Sequence, residues 1–292
     1  YDLTIRGSGT LFEGMSTPND LAQTLDGSDD YVALGTIGTG TLNDAFTLEA
    51  RVKLDAYDSW ARLFDLGNGE RSDNILLSQY GTTGKVILQV YTGSTSAYEL
   101  ITDTVIPLNE WVTISASYDG NGNAKIYFDG IEQATTLFSG TIVDANDVSR
   151  TSNFIGKSNW SADAFLDGEI TDARIWSDAR TEEEIKKYYK SDLVGSEEGL
   201  LRNYRFNETS GTTIYDSSTN GVDATLYGTT ATYNQVTSNQ ISYSIVGGTD
   251  SALFNIDSVT GALVFKNAGM ADYETKTSYD VTVRATDTVS KL

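Results

Sequence analysis

The sequence predicts an all-β protein, an antiparallel sandwich or barrel, and three observations carry that reading. Hydrophobicity alternates with period two in segment after segment, Gly, Asn and Asp punctuate those segments, and one short stretch has a helical signature. Residues 46–54 (Phe-Thr-Leu-Glu-Ala-Arg-Val-Lys-Leu) alternate apolar and polar side chains throughout. Segments 86–91, 111–118, 125–128 and 172–176 read as strands in the same way. Turn chemistry separates them at Leu66-Gly67-Asn68-Gly69, Asp119-Gly120-Asn121-Gly122-Asn123, Asp129-Gly130 and Asp167-Gly168. Asp216 to Asp223 reads as a further turn.

The helix is predicted near 182–190. Thr181 and Glu184 have capping-box spacing, acidic residues fill the first turn, and Lys186, Lys187 and Lys190 follow toward the negative end. Ile185, Tyr188 and Tyr189 form one apolar stripe, enough to dock the helix on a sheet. Its role is structural.

Composition excludes whole function classes. The 292 residues contain no His and no Cys, so there is no Ser-His-Asp or Cys-His nucleophile, no zinc site and no haem imidazole. With 20 basic against 41 acidic residues the net charge is −21, which leaves no basic surplus for nucleic acid. No apolar run approaches a membrane span, so no membrane insertion is expected. Asp outnumbers Glu, and Asp suits turns and hard-cation sites. Tyr1 in the initiator position, with no signal-like segment after it, reads as a piece of a longer chain.

After about residue 230 the texture changes, with short strands expected at 241–246, 254–257, 262–265 and 279–285. These are too few to close a sandwich, and the first fifteen residues are the only spare strand-like segment. The domain expectation is therefore a large domain over 16–232, with 1–15 and 233–292 forming a split small one.

The large domain resembles the laminin-G-like, concanavalin A-like lectin families. The residues that carry this are Leu25-Asp26-Gly27-Ser28-Asp29-Asp30-Tyr31-Val32, the 46–52 strand, Trp111-Val112, Lys125-Ile126-Tyr127-Phe128-Asp129-Gly130 and the 165–176 segment. Leu200 to Gly228 resembles a segment that many relatives carry at their N-terminal edge. The tail resembles a cadherin-like repeat of bacterial adhesins, on the hairpin 254–263, the triplet Asp272-Tyr273-Glu274 and Ala285-Thr286-Asp287. Together they resemble the ligand-binding region of a large bacterial RTX-type adhesin, which implies a cell-surface, extracellular location and neighbouring domains in a longer chain.

Two loops, 64–74 and 158–165, are rich in the oxygen ligands that Ca²⁺ prefers. The resemblance implies that they meet at a rim and hold calcium beside the ligand, with Asp65, Asn68, Asn74, Asn159 and Asp163 as metal candidates. Trp160 would stack on a sugar ring while Asn159, Asp163 and Asn68 fix its hydroxyls. The plainer alternatives are that these residues only build turns and that Trp160 folds onto the core. Trp60, Trp111 and Trp176 are read as core. The resemblance also implies a structural Ca²⁺ at Asp26 and Asp172, and another at Asp272, Glu274 and Asp287. The Asp119 loop has Gly130 at the twelfth position where an EF-hand needs Glu, so it is read as a hairpin.

The expected function is non-catalytic, calcium-dependent carbohydrate binding in adhesion to cells or surfaces, biofilm included. Acidic self-charge favours neutral or calcium-bridged sugars as partners. A protein-binding module and a structural spacer are the alternatives. Enzymes on this kind of sandwich often carry Glu-x-Asp-x-x-Glu on one strand, and that string is absent; Glu49 and Glu99 stand alone on theirs.

Overall fold

The computed structural model describes residues 2–5, 21–189, 191–228, 233–235, 241–256, 258, 263–266 and 279–287. The chain divides into two units, residues 21–236 and residues 1–20 with 237–292. In chain order the first strands are β1 (Asp2–Ile5), β2 (Leu21–Asp26), β3 (Tyr31–Ala33), β4 (Phe46–Leu54), β5 (Arg62–Gly67) and β6 (Ile75–Gln79). Then come β7 (Lys85–Thr92), β8 (Thr95–Val105), β9 (Val112–Tyr118), β10 (Ala124–Phe128), β11 (Ile131–Glu132) and β12 (Thr135–Gly140). The large unit ends with β13 (Ser152–Ile155), β14 (Asp167–Trp176), α1 (Glu182–Tyr188), β15 (Leu200–Tyr204), β16 (Thr213–Ile214), β17 (Ala224–Tyr227) and β18 (Tyr233–Gln235). The small unit adds β19 (Ile241–Gly247), β20 (Phe254–Ile256), β21 (Leu263–Phe265) and β22 (Val281–Asp287).

The large unit is an antiparallel sandwich. Its eight-stranded sheet runs β11-β10-β9-β4-β14-β2-β18, with β15 pairing β14 beyond the end of β2. The nine-stranded sheet runs β12-β8-β7-β6-β5-β13-β3-β17-β16. Alternation explains the core between them. Leu48, Ala50 and Val52 of β4, with Ile114 and Ala116 of β9, belong to one buried cluster with Leu66, Leu77, Leu88, Val90 and Leu100 of the other sheet. In the small unit β1 and β19 flank β22, and β20 pairs β21 around Phe254, Val281 and Val283.

Three expectations need correction. Residues 64–67 are not loop: they belong to β5, whose six residues are all buried. A bulge between Arg62 and Phe64 breaks its alternation, which hid it from periodicity. Trp111 and Trp60 are not core. Trp111 is half-buried under the cations of Arg51 and Lys53, and Trp60 has φ 60° and meets Tyr80 edge-on. Trp176 is fully buried, but in a satellite cluster with Leu193 and Leu200 rather than between the sheets.

The capping box at α1 is present in both directions, Thr181 to the Glu184 amide and Glu184 to the Thr181 amide, and Ile185 is the buried contact. The 119–123 segment is a hairpin turn, with the Asp119 carboxylate accepting from the Asn121 and Asn123 amides. Asp216 likewise knots its own turn, accepting from the amides of Asn203, Ser218 and Val222.

Candidate functional site

Register places a row of side chains on the outer face of the nine-stranded sheet. Phe154 lies opposite Asp65, Asp65 opposite Leu76, Leu76 opposite Gln89, and Gln89 opposite Glu99. Paired residues share a face, and their chain neighbours Leu66, Ile75, Leu77, Val90 and Ile155 fill the core. A carboxylate inside this covered sheet needs donors, and the 158–165 loop supplies them. Asn159 donates its amide to Asp65 Oδ2 at 2.8 Å and its side-chain nitrogen to Oδ1 at 2.8 Å. Asn74 donates to Oδ1 at 2.9 Å from the other loop. Gly67 is needed there because a Cβ would stand 2.3 Å from Asn74 Nδ2. Ser152 Oγ in turn donates to Asn159 Oδ1 at 2.7 Å.

Arg62 lies beside this cluster. Its Nε stands 3.7 Å from Asp65 Oδ2, an ionic rather than hydrogen-bonding distance. Nη2 donates to Asp163 Oδ2 at 2.6 Å and Nη1 to the Trp60 carbonyl at 2.8 Å. Burial pulls the Arg62 guanidinium down from its ordinary pKa, opposed by Asp65 and Asp163. Burial pushes the Asp65 carboxyl up, opposed by the Asn159 amide and Arg62. Ser158 Oγ donates to Asp163 and accepts from the Trp160 amide, which sets the turn that carries the indole. The Arg62 guanidinium carbon is 5.4 Å from the centroid of the Trp160 ring, and Tyr91 lies 5.5 Å away at 50°. Beside Tyr91, Gln89 Nε2 reaches Glu99 Oε1 at 2.8 Å and Ser96 Oγ at 3.2 Å, and Ser96 Oγ reaches Glu99 at 3.1 Å. Half-buried aromatic rings thus stand next to carboxylate, amide and hydroxyl groups held by one another on a rigid sheet.

The two predicted loops do meet, and Asp65, Asn74 and Asn159 form one network with Asp163 joined through Arg62. Asn68 stands apart from it: its Nδ2 donates to the Ser149 carbonyl and its Oδ1 accepts from Thr151, tying the 68–74 loop to its neighbour. These residues do not fit a calcium ion as arranged. Calcium needs six to eight oxygens, whereas the oxygens of Asp65 accept N–H bonds, and a guanidinium already supplies the countercharge of Asp65 and Asp163.

The other calcium pairing is also rearranged. Asp26 lies opposite Asp167, five positions before Asp172 on β14, so Asp26 and Asp172 do not share a site. Asp172 is buried at a bulge with φ 47°. Burial pushes its carboxyl up, Arg174 opposes this, Asp192 adds to it, and Arg51 and Arg205 oppose it further. Asp26 is instead grouped with Asp29 and Asp30, their ligand oxygens within 4.8 Å of one another. That set is all-oxygen, as a hard cation requires, although Asp26 Oδ1 and Asp30 Oδ2 also accept main-chain N–H bonds. Asp272 and Glu274 lie outside the described residues, and Asp287 is placed only as the end of β22, opposite Ile241.

Sequence reasoning missed Arg62, Tyr91, Gln89 and Glu99. The alternation of 86–91 already puts Gln89 opposite in sense to Leu88 and Val90, so its outward face was readable. Arg62 had no local signal, because a regular strand puts Asp65 three positions on at the opposite face and its other partner lies 101 residues away.

The fold and this outer face define a lectin-like jelly-roll sandwich. The chain belongs to the concanavalin A-like lectin/glucanases superfamily, whose laminin G family model matches residues 26–186, more than half of the sequence. It is similar in structure to a candidate carbohydrate-binding protein from Bacteroides ovatus, with TM-score 0.58 and 21% identity over 76% of this chain and 61% of that one. Domain 4 of an extracellular arabinanase from Geobacillus stearothermophilus, in complex with arabinotriose, aligns with TM-score 0.42 and 21% identity over 58% of this chain and 76% of that one. In sequence the chain is 23% identical to an alpha-L-arabinofuranosidase from Bifidobacterium longum subsp. longum over 61% of its length, and spans 18% of that enzyme.

Proposed function

We propose that this chain is a non-catalytic carbohydrate-binding module whose ligand lies over β5–β8, with Trp160 and Tyr91 as stacking rings and Gln89, Glu99 and Ser96 as partners for hydroxyls. One observation carries the reading: aromatic rings 5.5 Å apart sit beside prearranged polar groups on a rigid sheet. Such a site pairs apolar sugar faces with fixed donors and acceptors at small ordering cost. The Bacteroides ovatus fold relative, itself a candidate carbohydrate-binding protein, supports the same reading. Glu99 is engaged by Gln89 and Ser96, and Glu49 by Trp176 and Ser115, which favours binding over hydrolysis.

Calcium belongs to this proposal at Asp26, Asp29 and Asp30, as an ion that stabilises the start of the domain rather than one that touches sugar. The setting we propose is a bacterial cell-surface adhesin, with the small unit as a cadherin-like repeat and several weak sites combining into avidity. No helix among the described residues is long and apolar enough to cross a membrane.

A glycan array tests the binding site, run on the chain and on Trp160→Ala and Tyr91→Ala. Signal that falls about tenfold or more with either variant, equal to ~1.4 kcal/mol, is the expected result. Signal unchanged in both moves the site elsewhere, and a blank array with a folded protein removes the carbohydrate reading. Calcium should raise the melting temperature of the parent and not of Asp29→Asn; an equal rise in both would sink the Asp26 site.

A further inference from the structure

Two cations border this face without a carboxylate partner. In a chain with 41 acidic and 20 basic residues, a cation left without one invites a reason. Lys157 projects its ammonium over the Tyr31 ring at 4.2 Å and the Phe154 ring at 4.9 Å, and makes no ion pair or hydrogen bond among the described residues. Tyr31 is stacked on its other side by Tyr227, with centroids 4.9 Å apart and planes at 9°, and Tyr227 is 47% exposed. Phe154 pairs in register with Asp65, so this aromatic group and the Trp160 group occupy adjacent columns of the same outer face. Arg71 is exposed at the turn of the 68–74 loop, which is tied to the end of β7 where the Tyr91 amide donates to the Asn74 carbonyl at 2.8 Å and the Asp73 amide to the Gly93 carbonyl at 3.0 Å. It too makes no ion pair or hydrogen bond among the described residues.

The carboxylates of the site are placed the opposite way. Asp65 is held by Asn74 and Asn159 beside Arg62, Asp163 by Arg62 and Ser158, and Glu99 by Gln89 and Ser96. The internal donors are matched to internal acceptors, while Arg71 is exposed and the Lys157 ammonium rests on ring faces. From this geometry we propose that the face takes an acidic glycan, its carboxylate or sulfate groups met by Lys157 at one side and Arg71 at the other, with Trp160 and Tyr91 between. This rests on the carbohydrate reading above and narrows its ligand class.

The net charge of −21 argues for neutral sugars, but that argument is long-range. At physiological salt the Debye length is about 8 Å, so distant carboxylates are screened while a contact with an ammonium or guanidinium is much less so. Charge-assisted bonds to an oxyanion are also stronger than neutral ones. Asp65, Asp163 and Glu99 lie on the same face but are engaged by its own donors, and Glu70, exposed and adjacent to Arg71, offsets that cation.

The test compares each acidic glycan with its own neutralised form by calorimetry on the whole chain: oligogalacturonate against its methyl ester, alginate against its carboxyl-reduced form, and a sulfated galactan against its desulfated form. Preference for an acidic member, weakening with salt and falling about fivefold in Lys157→Gln and in Arg71→Gln, is the expected result. Glu70→Gln should strengthen it, and Lys187→Gln, another lysine set over a tyrosine ring but on α1, should leave it unchanged. The carboxylated and sulfated arms identify which anion is recognised. Neutral forms binding as well as acidic ones, still dependent on Trp160, would overturn this inference and keep the carbohydrate reading. No binding to any member by the folded protein overturns both.

Discussion

The two outer faces of this sandwich are built from similar chemistry and end differently. On the eight-stranded sheet, buried Glu49 accepts from Trp176 Nε1 at 2.8 Å and from Ser115 Oγ at 2.9 Å. Its register partner Arg174 donates to the carbonyls of Tyr188 and Ser191, and Thr113 donates to the carbonyl of Tyr189. Helix α1 and the chain after it therefore close that face with main-chain acceptors. Gly130 lets the helix lie close, since a Cβ there would be 3.0 Å from the Lys186 Cα. On the nine-stranded sheet, Asp65 and Arg62 are covered by a loop that supplies the Asn159 backbone amide together with side-chain partners, and whose Trp160 stays half-exposed. A helix can seal a polar face with its own C-terminal carbonyls. A loop has no such row of aligned carbonyls and adds side chains to its main-chain groups, and what it leaves exposed is available to a ligand.

Perturbing each face should separate these roles. The largest effect is expected from Asp65→Ala, which leaves the buried donors of Asn74 and Asn159 without their acceptor and Arg62 with Asp163 alone; each buried donor so left costs about 1–3 kcal/mol. Urea denaturation should show that loss together with loss of glycan binding, and a change under 1 kcal/mol would mean that the loop repacks. Glu49→Leu leaves the Trp176 indole N–H unpaired, for a cost of about 1–3 kcal/mol, with binding at the other face unchanged. If binding fell with it, the two faces would not be independent. Thr181→Ala should cost about 1 kcal/mol through the lost cap, visible as faster amide exchange in α1 and nowhere on the nine-stranded sheet.

The smallest effect concerns pH. Burial, then Asp58, Asp55 and Asp26, raises the Asp167 carboxyl above its ordinary range. A folded pKa above the unfolded one gives stability that is present below the unfolded value and lost as pH rises through the folded one. Asp167→Asn should therefore flatten the decline in melting temperature as pH rises through and above the carboxylate range. Added calcium should do the same in the parent if Asp26, Asp29 and Asp30 bind it, and identical pH curves for parent and variant would exclude Asp167 as the source.

Strands whose outward residues are polar were the legible ones, as Thr47, Glu49 and Arg51 are on β4, although most of that strand is buried. The alternation of 46–54 reappears as β4 with its bounds unchanged, and the capping box fixed where α1 begins. Strand β5 was not legible, because a bulge between Arg62 and Phe64 breaks its alternation and Asp65 and Gly67 inside it read as turn chemistry. The candidate site followed the same division. That loops 64–74 and 158–165 are polar and come together was readable from composition and resemblance, and Asn159 meets Asp65 there. What balances their charge was not, because Arg62 contributes through a fold that joins positions 62 and 163.

By itself the sequence determined which segments alternate, where turns and the helix cap fall, and that His and Cys chemistry is absent. These are properties of single residues and near neighbours, so they survive without knowledge of the fold. Tertiary structure alone decided that Asp65 and Asp163 answer to Arg62, that Asp172 sits among arginines while Asp26 joins Asp29 and Asp30, and that one outer face is closed while the other is open. Those outcomes depend on which distant strand supplies a charge's counterpart, and a buried charge takes whichever partner the register brings within reach.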